Sequence, residues 1–312
     1  MDNIFSLHND LKNGTYKHGG YYAFNISDPK PRSIHKATVR DRLVHHAIYR
    51  ILYPFFDKTF IADSYSCRLG KGTHKALERF VFFARKVGQN NTKTVWVLKC
   101  DIRKFFANID HEVLRETLKW YIPDVKILAL LDEVIGSFYS TASGKGLPLG
   151  NLTSQLLVNI YMNEFDQFAK HRIKAEFYVR YADDFVLLSE DRECLKRQIS
   201  TIRDFLMERL KLELHPKKLF LETLASGVDF LGWVHFTDYR VLRTTTKRRM
   251  MKRIVIHPTK GTFASYLWVL KHGNTKKLQR ELEMIPLIKS NKTVGVVLDL
   301  VLDKITRVEN LM

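Results

Sequence analysis

The sequence predicts an α+β fold in which a sheet is backed by helices. Between residues 94 and 236 the hydrophobic patterns follow one another as strand, helix, hairpin, helix and strand. That order is typical of a sheet that packs against helices on one face. Hydrophobic residues make up 45% of the chain and charged residues 27%, which is the mixture of an ordinary globular protein.

The first ninety or so residues are predicted to form a basic, partly helical lobe. A helix is indicated after residue 41 because apolar side chains recur there at helical spacing, namely Leu43, Ala47, Ile51 and Phe55.

From residue 94 the pattern alternates and predicts a largely buried strand that ends at Asp101. A helix is predicted to open near Asp110. The stretch GSFYSTASGKGLPLGN then predicts a glycine-containing loop or hairpin. A second helix is predicted over residues 152–168, with Asn151 as its N-cap.

The stretch FYVRYADDFVLLSE predicts two short strands around a tight turn at Ala182, Asp183 and Asp184. A helix over residues 192–210 and the strand-like VDFLGWVHF follow. Residues 239–261 contain no acidic side chain, and the tail through residue 312 leans towards helix. We predict a domain boundary near residue 240.

The chain is strongly basic, with 51 Lys and Arg against 33 Asp and Glu and a net charge of +18. This balance predicts a polyanionic partner, because Lys and Arg that neutralise phosphates release counterions. Charge alone names no function, since ribosomal, histone-like and membrane-surface proteins share it. The three cysteines lack C-x-x-C spacing and predict neither disulfides nor zinc. With no signal-peptide layout and no apolar run of bilayer length, we expect a cytoplasmic protein without membrane contact.

Asp183 and Asp184 are adjacent carboxylates, which raise each other's pKa unless a cation lies between them. The pair therefore calls for a divalent metal, and Asp101 is the natural third ligand if the two strands pair. Carboxylate oxygens favour Mg²⁺ or Mn²⁺, and two ions about 3.5–4 Å apart serve phosphoryl transfer. An isolated Asp-Asp pair is also simply a good turn, so the context has to decide.

That context is a set of seven blocks in order from about residue 30 to residue 233: RDRLVHHA, DSYSCRLGKGTHKAL, LKCDIRKFFANIDHEVL, LPLGNLTSQ, YADDF, LELHPKKLF and FLGW. Their succession resembles the ordered motifs of bacterial reverse transcriptases. The resemblance implies a right-hand polymerase with an antiparallel palm sheet backed by helices and a helical thumb. It implies fingers at 1–94, a palm at 95–240 with a finger insertion near 120–150, and a thumb at 241–312.

The resemblance also implies the activity, which is addition of dNTPs to a primer 3′-hydroxyl on an RNA template. Asp101, Asp183 and Asp184 match the metal-binding carboxylates, with the Ile102 carbonyl as a further ligand and Mg²⁺ as the expected ion, for which Mn²⁺ can substitute. Phe106 matches the aromatic gate that excludes a 2′-hydroxyl, so the product is DNA. The alternative for Phe106 is an ordinary core aromatic.

Further roles follow from the same resemblance. Arg68 and Lys71 match basic residues that grip the incoming triphosphate, although a glycine-flanked basic loop also occurs as a solvated turn. Leu149 and Gly150 belong to the motif beside the nucleotide. Lys218, or alternatively Lys217, matches a lysine that protonates the departing pyrophosphate. Template contacts are expected from a basic thumb cluster, whose alternative is a solvated helix face: Lys247, Arg248, Arg249, Lys252 and Arg253. Weaker candidates, for contacts to the template or to phosphate, are Lys30, Arg32, Arg40 and Arg42.

LPLGNLTSQ departs from the common pattern, with Leu149 where most reverse transcriptases have Gln and Gln155 where Pro is usual. This form resembles the enzymes of diversity-generating retroelements, which copy a template RNA into cDNA with frequent errors at adenine. The stretch SYLWVLKHGNTKKL resembles their thumb. The resemblance implies bacterial or phage origin and a small basic accessory protein. We expect no maturase, endonuclease or RNase H domain. A compact group II-like or antiphage reverse transcriptase stays open, as does a non-catalytic RNA-binding protein that keeps the fold.

Overall fold

The computed structural model describes residues 2–27, 31–140 and 142–290, so Lys30 and the last part of the predicted thumb, 291–312, lie outside the described residues. The chain divides into two compact units, residues 1–223 and 224–312. The sheet of three short strands that follows residue 227 belongs to the second unit, although the sequence grouped it with the palm.

The first unit contains a two-stranded hairpin, a four-stranded sheet and eight helices among its described residues. Its elements are α1 Asp2–Asn13, β1 Tyr21–Ile26, β2 Arg32–Ala37, α2 Val39–Asp57, α3 Thr73–Val87, β3 Trp96–Asp101, α4 Phe105–Asn108, α5 His111–Tyr121, α6 Val125–Gly136, α7 Leu152–His171, β4 Tyr178–Tyr181, β5 Asp184–Ser189, α8 Arg192–Leu210 and β6 Phe220–Thr223.

The four-stranded sheet is antiparallel throughout, in the order β4-β5-β3-β6. β3 and β5 lie in its middle, and each of their residues is buried or half-buried, because apolar side chains occupy both faces of these strands. β4 and β5 form the predicted hairpin, and the strand predicted to end at Asp101 is β3.

Helices pack against this sheet through aromatic and aliphatic side chains. The rings of Phe165 in α7 and Phe185 in β5 lie 4.9 Å apart, and α8 packs against β3 and β5. Helix α3 also contacts β4 and β5. The sequence had assigned α3 to the basic lobe before residue 94, so these contacts were not predicted. The resulting fold is the predicted α+β arrangement.

The helix predicted after residue 41 is α2, which begins after Thr38, whose hydroxyl accepts a hydrogen bond from the Asp41 amide. The apolar stripe that indicated it lies outward, since Ile51 is 69% exposed. The buried stripe is one residue further along the chain and includes Val44, Ile48 and Leu52. Both stripes are apolar, so their spacing established the helix and not the direction of its buried face.

The second unit contains a short 3-10 helix at Leu224–Ser226, a three-stranded antiparallel sheet and three α-helices among its described residues. The strands are β7 Val228–Phe230, β8 Trp233–His235 and β9 Arg240–Leu242, and the helices are α9 Thr244–Ile256, α10 Lys260–Leu270 and α11 Lys276–Ser290. A small core of Met250, Ile254, Leu270 and Leu282 joins the three helices.

The interpretation of VDFLGWVHF as one strand is wrong. It forms two strands, β7 and β8, because Leu231 and Gly232 both adopt positive φ angles, 49° and 87°, and turn the chain. The strand that completes the larger sheet is β6, whose alternately exposed side chains gave too weak an apolar signal to detect.

Across the described ranges, no helix is long and apolar enough to span a bilayer.

Candidate active site

The three aspartates lie at the same end of two neighbouring strands. Asp101 is the last residue of β3 and pairs directly with Asp184, the first residue of β5. Asp183 stands in the two-residue turn before β5, where the preceding Ala182 has a φ of 56°. The amide of Ile102 donates to the carbonyl of Asp183 at 3.2 Å and fixes this turn against β3. Sheet register therefore brings the predicted carboxylates together.

Burial and like charge both act on the carboxylates at this end of the sheet. The pKa of Asp183 is raised, first by burial and then by the negative charge of Asp101, while Lys218 and Arg32 act in the opposite direction. A carboxylate whose pKa is raised by a carboxylate neighbour gains from any cation that arrives between them. The site is thus suited to positive charge.

Two lysines supply part of that charge. The Nζ atom of Lys218 lies 2.9 Å from both Oδ1 and Oδ2 of Asp101. The Nζ atom of Lys99 lies 3.9 Å from Oδ2 of Asp184. Lys218 is held in place by a turn in which the His215 amide donates to the Asp101 carbonyl at 2.7 Å and the Lys218 amide donates to the His215 carbonyl at 3.1 Å. Lys217 makes no hydrogen bond to the aspartates in the described structure.

Phe106 lies in the short helix α4, five residues after Asp101. Lys104 stands at the N-cap position just before this helix with a φ of 45°, so the chain turns sharply between the end of β3 and Phe106. Phe106 is partly buried against the core, and its carbonyl accepts from the Leu147 amide at 2.8 Å. The backbone of Phe106 is thus fixed, and its side chain packs against the core while staying partly open to solvent.

The loop that carries Leu149 and Gly150 is bound to strand β2. The His35 amide donates to the Leu149 carbonyl at 2.9 Å, and the Nδ2 atom of Asn151 donates to the His35 carbonyl at 2.8 Å. Gly150 has a φ of 106°, and a Cβ there would lie 2.7 Å from Cγ2 of Ile34. Only glycine permits this approach without displacing Ile34.

Asn151 does stand at the N-cap position of α7, but its side chain makes no capping hydrogen bond. Its amide instead bonds to the backbone of β2, with Oδ1 accepting from Ala37 and Nδ2 donating to His35. The predicted N-cap position is thus confirmed. The side chain does not cap the helix, because the backbone of a strand distant in sequence binds it instead.

Arg68 and Lys71 lie in the loop before α3, and both are engaged with the protein. The Arg68 side chain is 5% exposed and donates to Asp57 Oδ1 at 2.7 Å. It also donates to the carbonyls of Ile61, Ser64 and Asp57. The Nζ atom of Lys71 donates to the Ala62 carbonyl at 2.7 Å. A role in phosphate binding requires both cations to exchange these partners, and it stays a prediction.

The five basic residues predicted for the thumb all lie in α9. Met250, Met251 and Ile254 are its buried residues. Lys247, Lys252 and Arg253 are exposed, while Arg248 and Arg249 are half-buried. The exposed residues Lys247, Lys252 and Arg253 can reach an external polyanion without rearrangement of the helix.

Comparison with known proteins identifies the family. A model of the family "Reverse transcriptase (RNA-dependent DNA polymerase)" matches residues 21–235, a span that includes all three aspartates. The chain belongs to this reverse transcriptase family. Membership confirms the predicted enzyme class, an RNA-directed DNA polymerase.

Two curated bacterial proteins are similar to this reverse transcriptase. The protein YkfC of Escherichia coli strain K12 is 26% identical over 272 residues, which cover 74% of this chain and 68% of YkfC. The group II intron-encoded protein LtrA of Lactococcus lactis subsp. cremoris is 25% identical over 324 residues, which cover 80% of this chain and 52% of LtrA. The chain thus spans about half the length of LtrA. These similarities support a bacterial, group II-like reverse transcriptase.

Solved structures of yeast telomerases are also similar. The apo telomerase of Candida tropicalis truncated from its C-terminal domain gives a TM-score of 0.54 at 12% identity, covering 77% of this chain and 60% of the telomerase chain. The telomerase of Candida albicans in complex with a TWJ fragment of telomeric RNA gives 0.55 at 13% identity, covering 77% and 49%. At these identities the likeness shows the fold alone, and it confirms the predicted right-hand polymerase fold.

Reverse transcriptases use divalent metal ions. The donor set fits such an ion, because Asp101, Asp183 and Asp184 offer carboxylate oxygens. The pKa of Asp183 is raised by burial and also by the charge of Asp101, and a cation would relieve both effects. Within the described ranges, no three His, Cys, Asp or Glu side chains are grouped closely enough to hold a metal ion as they stand. The backbone brings these three residues to one end of the sheet, and their side chains would have to turn towards a common point to share an ion.

One functional candidate escaped the sequence analysis. Arg180, three residues before Asp183, is fully buried inside the sheet and bonds to the turn that carries Asp183. The sequence did contain a signal for it, namely a single charged residue within the apolar run FYVRY. A charged residue buried in such a strand requires a buried acid as its partner. That acid is Asp166 in α7, and no pattern in the sequence pairs the two.

Proposed function

We propose that the protein is a reverse transcriptase that copies template RNA into cDNA by adding dNTPs to a primer 3′-hydroxyl. The observation that carries this proposal is the pairing of Asp101 with Asp184 across β3 and β5, with Asp183 in the adjoining turn. Two strand ends that hold three carboxylates provide a site for phosphoryl transfer. The likeness to a telomerase solved with an RNA fragment, together with the net charge of +18, supports RNA as template.

Asp101, Asp183, Asp184 and the carbonyl of Ile102 would hold Mg²⁺, for which Mn²⁺ can substitute. When bound, the ions would activate the primer hydroxyl and stabilise the oxygen that leaves with pyrophosphate. The protein itself contributes chiefly positioning and compensation of charge.

The residues around the carboxylates have separate tasks in this proposal. Phe106 lies under the sugar of the incoming nucleotide and excludes a 2′-hydroxyl. Leu149 and Gly150 form the adjoining wall, which the hydrogen bond to His35 fixes in place. Arg68 and Lys71 bind the triphosphate after exchanging their present carbonyl partners for phosphate oxygens.

Lys218 is the proposed general acid. Its Nζ atom would donate a proton to the departing pyrophosphate, and it must first leave Asp101 to do so. Lys217, one residue earlier, is the alternative donor and serves as the matched comparison.

The division of labour along the chain is also part of the proposal. Residues 1–94 act as fingers, 95–240 as palm with a finger insertion near 120–150, and 241–312 as thumb. The basic face of α9 would bind the template–primer backbone through Lys247, Arg248, Arg249, Lys252 and Arg253.

The finer assignment is an error-prone enzyme of a diversity-generating retroelement that acts with a small basic accessory protein. The motif LPLGNLTSQ supports it, with Leu149 in place of the usual Gln. A compact group II-like or antiphage enzyme is the alternative within the same family. DNA flanking the gene distinguishes them, because a near-repeat that differs at adenines marks a diversity-generating element.

Incorporation of dNTPs on a primed RNA template with Mg²⁺ tests the proposal. The wild-type protein should extend the primer, whereas Asp183→Ala and the Asn variants of Asp101, Asp183 and Asp184 should not. RNA binding should stay nearly intact in all of them, because affinity comes from phosphate contacts elsewhere. Asp204→Ala, at an exposed position of α8, is the matched control and should extend normally. Wild-type turnover by Asp183→Asn would contradict the two-metal site, and absence of extension by the wild type would favour a non-catalytic RNA-binding protein.

A further inference from the structure

Arg180 is a charged residue in the interior of the larger sheet. Its side chain is 0% exposed, as is that of its partner Asp166 in α7. The Nε and Nη2 atoms of Arg180 donate to the two carboxylate oxygens of Asp166 at 2.7 and 2.6 Å. A buried ion pair of this kind is costly unless further hydrogen bonds complete it.

Three more hydrogen bonds complete it. The Nη1 atom donates to Oδ1 of Asn159 at 3.4 Å and to the carbonyl of Ala182 at 3.1 Å, and Nη2 donates to Oγ of Ser64 at 3.0 Å. A guanidinium has five N–H donors in a fixed planar fork, and here all five have acceptors. The group therefore has one orientation.

One of these acceptors is the carbonyl of Ala182. In the proposed function, Ala182 and Asp183 form the catalytic turn between β4 and β5. Ala182 adopts the left-handed conformation, with a φ of 56°, which is unfavourable for a residue that has a Cβ atom. The hydrogen bond from Arg180 holds the Ala182 carbonyl in that conformation. Asp183 is the next residue, so the direction of its backbone follows from the position of the guanidinium.

A second acceptor, the Oγ atom of Ser64, belongs to the proposed fingers. The Arg180 amide donates to the Asp63 carbonyl at 3.0 Å, and the Tyr65 amide donates to the Arg180 carbonyl at 3.0 Å, so this segment runs alongside β4. The Ser64 carbonyl in turn accepts from Nη1 of Arg68 at 3.0 Å. The same guanidinium that holds the catalytic turn thus also holds the start of the loop that carries Arg68 and Lys71.

From these contacts we infer that Arg180 is a positioning residue that sets the catalytic turn and the triphosphate-binding loop at a fixed separation. The inference rests on the proposed function, in which the turn holds metal and the loop holds the nucleotide. Lysine cannot replace arginine here, because one ammonium reaches Asp166 but cannot at the same time donate in the plane to Ser64 and Ala182.

Two variants, Arg180→Lys and Ser64→Ala, test both connections. Incorporation is measured in a single turnover for the maximal rate and at steady state for KM and kcat. Arg180→Lys should lower the maximal rate by roughly 10- to 100-fold, as small misplacements at an active site do. Ser64→Ala removes only the side-chain contact to the loop, so it should raise the KM for dNTP by roughly fivefold, the value of one hydrogen bond, with kcat within about twofold of wild type. Template–primer affinity should not change in either variant.

A third variant separates positioning from stability. Arg180→Met combined with Asp166→Leu and Tyr178→Phe removes the ion pair and the Tyr178 hydroxyl that donates to Asp166. Apolar replacement of a whole buried pair is often neutral for stability. We expect a melting temperature near that of the wild type and a maximal rate still at least about tenfold lower.

The outcomes decide as follows, with rates normalised to the folded fraction by circular dichroism. A wild-type rate and KM in Arg180→Lys, or a wild-type rate in the apolar triple variant, would overturn the inference. A rate loss in Arg180→Lys that is fully explained by a lower folded fraction or by weaker template binding would also overturn it. If the triple variant does not fold, the result for Arg180→Lys decides. Failure of the proposed function is distinguishable, because the wild-type protein would then show no incorporation.

Discussion

The ammonium of Lys218 lies 2.9 Å from each carboxylate oxygen of Asp101, although the two residues are 117 positions apart in the chain. The proposed proton donor and a proposed metal ligand therefore share one ion pair. The pair is partly open to solvent, since the Lys218 side chain is 41% exposed and that of Asp101 is 15% exposed. Lys218 can leave Asp101 without unfolding its surroundings.

Replacing Lys218 should slow chemistry without weakening template binding. General acid catalysis contributes about 10²–10⁴-fold, so we expect Lys218→Met to lower the single-turnover incorporation rate by about 10²-fold or more. Lys217→Met is the matched control and should retain the wild-type rate. Rapid-quench measurements on both variants decide the assignment, since a loss confined to Lys217→Met would move the role by one residue.

Shrinking Phe106 should admit ribonucleotides. Phe106→Val or Phe106→Ala removes a steric clash with the 2′-hydroxyl without adding an attraction, so the ratio of rNTP to dNTP efficiency should rise. Phe105→Leu is the matched control, because Phe105 is a buried core residue in the same short helix. It should lower the melting temperature and leave the ratio unchanged. The same ratio in Phe106→Val as in the wild type would place the gate elsewhere.

Neutralising the exposed face of α9 should flatten the salt dependence of template–primer binding. Replacing Lys247, Lys252 and Arg253 by Gln should reduce the slope by roughly 0.7–0.9 log unit for each lost phosphate contact. The same change at three exposed lysines of the other unit, Lys12, Lys119 and Lys196, is the control and should alter the slope less. An unchanged slope in the α9 variant would mean that α9 does not contact the phosphate backbone of the template–primer.

Leu149→Gln should reduce misincorporation opposite template adenine, but only modestly. A Gln side chain could hydrogen-bond near the nucleotide, and one hydrogen bond of about 1 kcal/mol net changes discrimination only several-fold. Leu149→Met, which keeps an apolar side chain, should leave the error rate unchanged. The measurement is sequencing of cDNA from one adenine-containing template at matched extension. Identical error spectra for Leu149→Gln and the wild type would remove Leu149 from the account of fidelity.

The first unit should lose stability in mild acid through His45. Burial, reinforced by His18 and opposed by Asp41, lowers the pKa of His45 from 6.5 to about 4. The unfolded chain therefore binds a proton below pH 6.5 that the folded chain resists. Stability is retained above about pH 6.5 and falls progressively towards pH 4, by at most about 3 kcal/mol from this residue. Melting temperatures between pH 7 and pH 5 should fall less in His45→Gln than in the wild type, and equal slopes would exclude His45 as the source.

The sequence predicted most of the elements that carry the three proposed metal-binding carboxylates, because their signals are local. The strand that ends at Asp101, the hairpin at Asp183 and the helix over 192–210 each depend on periodicity within a few residues. The same reasoning could not find the partners of Asn151 or Arg180, since these lie 116 and 14 residues away, at His35 and Asp166. Long-range hydrogen bonds of single polar side chains leave no periodic trace.

The helix α2 illustrates a second limit. Its helical spacing was correct, yet the apolar stripe through Ile51 faces solvent and the stripe through Ile48 is buried. Two apolar stripes on one helix have the same period, so only the packing of neighbouring elements decides which is buried.

The pairing of Asp101 with Asp184 limits where the chain can accept insertions and deletions. Side chains alternate between the two faces of a strand, so removal of one residue from β3 upstream of Asp101 would shift every later side chain to the opposite face or force the strand to slip by one position. Either change separates the carboxylates. We therefore expect insertions and deletions to be tolerated in the loops before β3 and after β5, and to inactivate the enzyme within these two strands even where every aspartate is retained.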